Sequence, residues 1–79
     1  MTTTGKLIKS TREKREYTQM ELAYRVGKIS HVFISDIESG KKSLPIRRAS
    51  DFARALRLDR ERLINAIKQD FSEKIEARK

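Results

Sequence analysis

With 79 residues, no cysteine and a single histidine (His31), the chain has room for one domain around one small core, and it lacks the residues for a disulfide framework or a metal site. Lysine and arginine number 19 against 11 acidic residues, a net charge of +8 that predicts attraction to a polyanion. The longest uninterrupted apolar run is Val32-Phe33-Ile34, so no membrane span or signal peptide is expected, and nucleic acid in the cytoplasm is the expected partner rather than a membrane.

Three glycines and one proline punctuate the chain, and no stretch alternates apolar and polar for long, which predicts helices joined by tight turns. Met1 to Thr4 read as a frayed start. The first helix is expected from about Gly5 to Arg15, with Leu7, Ile8 and Thr11 facing inward. The second has the sharpest signal. Thr18 is followed three residues later by Glu21, a capping box, and Tyr17 and Leu22 are spaced as a hydrophobic staple. Leu22, Ala23 and Val26 form its buried face, and Gly27 is expected to stop it in a left-handed conformation.

Ser30 is placed to cap a third helix running to Ser39, with Ile34 and Ile37 on its inner side and Gly40 at its end. The basic loop Lys41-Lys42 leads to Pro45, which predicts the first turn of a fourth helix burying Ile46, Ala49, Phe52, Ala53 and Leu56. Asp59 caps a fifth helix, with Leu58 and Leu63 as its staple. In that helix Leu63, Ile67, Phe71 and Ile75 repeat every fourth residue. The spacing predicts a stripe that outruns a small core, so Ile67, Phe71 and Ile75 are expected to meet a second copy of the chain; covering the chain's own core is the alternative.

The stretch from Thr18 to Gly40 reads TQMELAYRVGKISHVFISDIESG. Thr18-Gln19, Leu22-Ala23, Gly27 and Ile34-Ser35-Asp36-Ile37-Glu38-Ser39-Gly40 resemble the helix-turn-helix of the phage-repressor-like (Cro/XRE-type) family. Ile8 and Arg12 in helix one, and Phe52-Ala53-Arg54-Ala55-Leu56 in helix four, extend the resemblance over about residues 5 to 67. It implies an all-α, five-helix DNA-binding domain, here with residues 68–79 as a C-terminal helix extension. Three features depart from the pattern. The turn Lys28-Ile29-Ser30 is one residue longer than usual, Glu16 and Arg57 stand where many relatives carry glycine, and the third helix contains no lysine or arginine.

The resemblance implies roles for individual residues. His31, Val32 and Asp36, flanked by Ser35 and Ser39, are expected to face base edges in a major groove that admits one helix. Val32 suits a thymine methyl, and Asp36 suits a cytosine amino group or else pairs with Arg25 or Lys42. Phosphate contacts are expected at the helix starts, from Thr18, Gln19 and Ser30, and from the flanking Lys28, Lys41 and Lys42. For Gln19 the alternative is an ordinary exposed helix-start residue. Arg12 and Glu38 resemble the family's internal ion pair between helix one and the end of helix three.

No paired nucleophile and base, phosphate-cradling glycine loop or carboxylate cluster occurs, so neither catalysis nor a cofactor is expected, and no small-molecule effector is evident. The expected function is that of a sequence-specific regulator of transcription, a repressor binding double-stranded DNA as a homodimer on a palindromic operator. Phage repressors, restriction-modification controllers and antitoxins all fit. Two alternatives stay open: a protein-interaction module such as an antitoxin neutralising a protein partner, and a non-specific nucleic-acid binder.

Overall fold

A computed structural model describes residues 2–77, with side-chain surroundings for residues 2–72. These residues form five α-helices: α1 (Thr3–Lys14), α2 (Gln19–Val26), α3 (His31–Ser39), α4 (Ala49–Leu56) and α5 (Arg60–Ala77); a 3-10 turn, Ile46–Arg48, leads into α4. The fold is all-helical with five α-helices, as the sequence predicts. No helix among the described residues is long and apolar enough to cross a membrane.

Local chemistry sets most of the boundaries. The Thr18 side chain accepts from the Glu21 amide (3.0 Å) while Glu21 Oε1 accepts from the Thr18 amide (3.2 Å), closing the predicted capping box. Ser30 Oγ accepts from the Phe33 amide, and Gly40 ends α3 at φ 87°, ψ 5°. Helices α1 and α4 end without glycine. Glu16 and Arg57 nonetheless adopt left-handed backbone, at φ 62° and 53°. Each is held by closure of the preceding turn, Tyr17 N–H to Arg12 C=O and Leu58 N–H to Ala53 C=O. Arg15 adds a second hold on α4, donating from Nε to the Leu56 carbonyl and from Nη2 to that of Arg57.

Ile8, Leu22, Ile34, Ile37, Phe52, Leu56 and Leu63 are the largest fully buried side chains, so every helix contributes to one core. Helix α1 packs on α3 and α5, and α2 packs on α3 and α4. The approach of α1 to α3 is close enough to require a glycine: a Cβ on Gly5 would lie 2.6 Å from the Ile37 carbonyl oxygen and 2.7 Å from that of Glu38.

The structure corrects four details of the sequence reading. Residues 2–4 are not frayed: Thr2 caps α1 through a bond from the Gly5 amide, and the Thr3 and Thr4 amides donate to the Asp70 carboxylate at 2.7 and 2.9 Å. Pro45 does not open the fourth helix, because at ψ 140° it is extended and α4 starts only at Ala49. Ile46 is 52% exposed, since Leu44 occupies the adjoining core position. Gly27 has positive φ (100°) but ψ 129°, so it is not in the left-handed helical conformation, and the next residue, Lys28, also has positive φ, 54°.

Candidate nucleic-acid interface

Helix α3 buries Ile34, Ile37 and Glu38 and turns a different set of side chains outward. His31, Val32 and Ser39 are exposed, while Ser35 and Asp36 are half-buried. The arrangement follows from the helical repeat, which puts Val32, Ser35, Asp36 and Ser39 on the side away from the core. Cations stand at both ends of the helix. Lys28 is exposed in the turn before α3, and Lys41 and Lys42 are exposed in the loop after it. Thr18 and Ser30 are exposed at the starts of α2 and α3, where amide groups concentrate positive potential.

Behind this face lies a polar brace. Arg12 Nε donates to Glu38 Oε2 at 2.7 Å, and Nη2 donates to Oε1 at 3.1 Å. The remaining nitrogen, Nη1, reaches the Tyr17 carbonyl at 2.8 Å. The pair is largely shielded, with side-chain exposures of 12% and 5%. Hydrogen bonding to Glu38 holds the Arg12 guanidinium even more firmly protonated than usual, outweighing the opposing effect of burial. Gln19 joins the brace, donating from Nε2 to Glu38 Oε1 at 3.2 Å. The bidentate fork locks the C-terminal end of α3 to α1, and Gln19 ties the same carboxylate to the start of α2.

Asp36 is paired with Lys42, their side chains 3.7 Å apart, and the Lys42 amide donates to the Asp36 carbonyl. The Lys42 ammonium also stands 5.9 Å from the centre of the Phe33 ring. Arg25 lies elsewhere, 4.3 Å over the ring of Tyr17. The helix-turn-helix family model matches residues 8–63, from the middle of α1 into the start of α5.

The chain belongs to the phage-repressor-like (Cro/XRE-type) helix-turn-helix family. Its function is accordingly of the DNA-binding, transcription-regulating kind. Helices α2 and α3 are the two helices of the helix-turn-helix, and the Arg12–Glu38 pair braces the second of them. No curated protein and no solved structure matches the chain.

The sequence-predicted residues of this helix-turn-helix protein fall into separate groups. His31, Val32, Ser35, Asp36 and Ser39 share α3, with Lys28 and Ser30 before it and Lys41 and Lys42 after it. Gln19 is half-buried against Glu38 at the start of α2. On α5, Ile67 packs against the chain's own core and Phe71 is 65% exposed. The Ile75 side chain lies outside the described residues. Sequence reasoning passed over Met20 and Tyr24, which are 68% and 88% exposed on α2. Their signal is in the chain all the same: two large apolar side chains four residues apart on the face opposite Leu22 and Val26.

Proposed function

We propose that the chain is a cytoplasmic, sequence-specific repressor that binds a palindromic or pseudo-palindromic operator in double-stranded DNA as a homodimer. Thr18, Gln19, Lys28, Ser30, Lys41 and Lys42 contact phosphates and set the register; His31, Val32, Ser35, Asp36 and Ser39 read base edges. What carries the reading is the solvent-facing side of α3, bracketed by exposed lysines, in a chain of the helix-turn-helix family. The whole chain acts as one domain, its core spanning about residues 5–67. The extension after it contributes Phe71 and Ile75, with Ile67 at its base, to the contact between copies. Two-fold symmetry then sets the recognition helices ~34 Å apart, one turn of the duplex.

No catalytic step or cofactor enters this function. Selection of bound duplexes from a random pool tests it, followed by binding of Lys42→Ala and His31→Ala. The expected result is a two-fold symmetric site. Lys42→Ala should weaken all sequences alike and reduce the salt slope by about one, whereas His31→Ala should change base preference. Absence of any enriched sequence would overturn operator recognition. A second reading, capture of a protein partner, draws on the exposed Phe71 and on an α3 without lysine or arginine.

A further inference from the structure

Helix α5 outruns the core it packs on. Ala66 is its last buried residue among those described, and Phe71 already stands exposed. Between them Asp70 reaches back to the start of α1, where Oδ1 accepts from the Thr3 amide at 2.7 Å and Oδ2 from the Thr4 amide at 2.9 Å. Both donors belong to the first turn of α1, which has no acceptor of its own for them. The carboxylate also faces the positive end of the α1 dipole. One side chain thus clasps the far end of α5 to the beginning of the chain.

The restraint continues along α1. Next to Thr4, Gly5 meets the C-terminal end of α3 backbone to backbone, close enough that a Cβ would lie 2.6 Å from the Ile37 carbonyl oxygen. About two turns further on, Arg12 forks onto Glu38 of α3, with Nε 2.7 Å from Oε2. The steric contact stops α1 from moving closer to α3, and the bidentate pair fixes its rotation. Helix α1 is therefore a strut, fastened to α5 at its first turn and to the recognition helix beyond it.

We propose, on the reading of the chain as a DNA-binding homodimer joined through α5, that the Asp70 clasp sets the spacing between the two recognition helices, and with it the number of base pairs between operator half-sites. Asp70 acts through α1 and is a positioning residue. Phe71 follows it directly, so the direction in which Phe71 meets a second copy is set by where Asp70 holds the helix. Without the clasp, this end of α5 is steered by the packing of Ile67 and Ala66, and apolar contacts are not directional. A swivel of ~10° across the molecule's 23 Å width displaces α3 by ~4 Å, about the rise of one base pair. Two-fold symmetry applies that displacement to both recognition helices.

A clasp that served only to stabilise the fold would, when lost, weaken binding to every duplex by one common factor. Spacing preference is the readout that separates the two roles. The probe is the duplex that the wild-type chain enriches from a random pool, with its centre shortened or lengthened by one base pair, at a temperature where circular dichroism shows each variant fully helical. The wild-type chain should lose about tenfold in affinity for one misplaced base pair, and Asp70→Ala about threefold or less, with base preference inside each half-site unchanged. Thr3→Pro reaches the clasp from the other side and leaves the surface of α5 intact. Proline suits a first helical position, Thr2 before it is already extended, and the change removes the amide that Oδ1 accepts from. It should relax the spacing preference in the same direction. Wild-type spacing ratios in Asp70→Ala, or relaxation there without any in Thr3→Pro, would overturn the proposal and leave operator binding intact. Failure of the wild-type chain to enrich a two-fold symmetric site would overturn the homodimer reading and the proposal together.

Discussion

Replacing Gly5 by alanine sets two effects of opposite sign against each other. Alanine favours helix over glycine by up to ~1 kcal/mol, so an isolated α1 would gain from the change. In the folded chain the new Cβ meets the carbonyl oxygens of Ile37 and Glu38 at 2.6 and 2.7 Å. Reaching an ordinary contact of ~3.4 Å requires α1 and α3 to part by about 0.8 Å, and both obstructing atoms are backbone, which cannot rotate aside. Overpacking of this kind typically costs about 1–3 kcal/mol. The same displacement stretches the 2.7 Å Arg12–Glu38 contact, because Glu38 belongs to the segment being pushed. Gly5→Ala should therefore destabilise the protein by about 2 kcal/mol net, lowering the melting temperature by about 10 °C in a domain of this size. Far-UV circular dichroism melts at one fixed protein concentration provide the measurement, since association would otherwise shift the midpoint. Gly27→Ala serves as the control: it has positive φ and open space around it, so its cost is confined to the backbone. Gly5→Ala melting at or above wild type would refute the reasoning, for it would mean that the α1–α3 contact yields without cost.

Two further outcomes follow from the ends of the helices. Burial tends to raise the Asp70 pKa, but the hydrogen bonds from Thr4 and Thr3 outweigh it and hold the carboxyl below the usual aspartate range. A depressed folded-state pKa contributes stability above the unfolded value, 3.8, and that contribution is lost as pH falls through the folded value. Asp70→Asn should thus cost about 1–2 kcal/mol at neutral pH, with the gap to wild type narrowing as the pH falls from 3.8 through the lower folded value; melts at neutral and acid pH with an equal gap would exclude the mechanism. Arg57→Gly should stabilise by about 0.5 kcal/mol, because relief of ~1 kcal/mol of left-handed strain exceeds the cost of about 0.5 kcal/mol from the greater unfolded-state entropy of glycine. The bond from Arg15 to the residue-57 carbonyl survives the change, and a melting temperature at or below wild type would refute the prediction.

What could be read in the sequence depended on how far away the deciding partner lies. The starts of α2 and α3 are fixed by bonds spanning three residues, Glu21 to Thr18 and Phe33 to Ser30, so both could be read locally. The start of α1 depends also on Asp70, more than sixty residues away, and local rules make Thr3 and Thr4 look like a loose end. Pro45 gave a sound local signal for a helix start. Packing overrode it, because the buried Leu44 lies just before the proline and the chain tightens through a 3-10 turn before α4. The absent glycines at Glu16 and Arg57 were visible as departures from the family pattern, but not their resolution: the backbone keeps the left-handed conformation and the closing hydrogen bonds. For the candidate site, periodicity identified the outward residues of α3, whereas the bond from Gln19 to Glu38 depends on how two helices cross.

That crossing bears on how a basic protein can approach DNA with a helix that has no lysine or arginine. Arg12 points its charge inward, neutralised by Glu38 and bound to the Tyr17 carbonyl, and therefore braces α3 instead of presenting charge to a duplex. Asp36 is the acid on the outward side of α3, and Lys42 stands 3.7 Å from it with 59% of its side chain exposed. A partly exposed pair at that distance is worth about 1 kcal/mol at most, so it offsets the repulsion between Asp36 and phosphates without locking Lys42 in place. The Lys42 ammonium can turn to a phosphate while its amide keeps the loop bonded to the Asp36 carbonyl. On the proposed docking, attraction and discrimination then reside in different residues. The lysines beyond the helix ends draw in any duplex, and the imidazole, valine and hydroxyl groups of α3 distinguish one sequence from another. A recognition helix that carried its own lysines would bind every duplex more tightly and gain nothing in the ratio between the right site and the wrong ones.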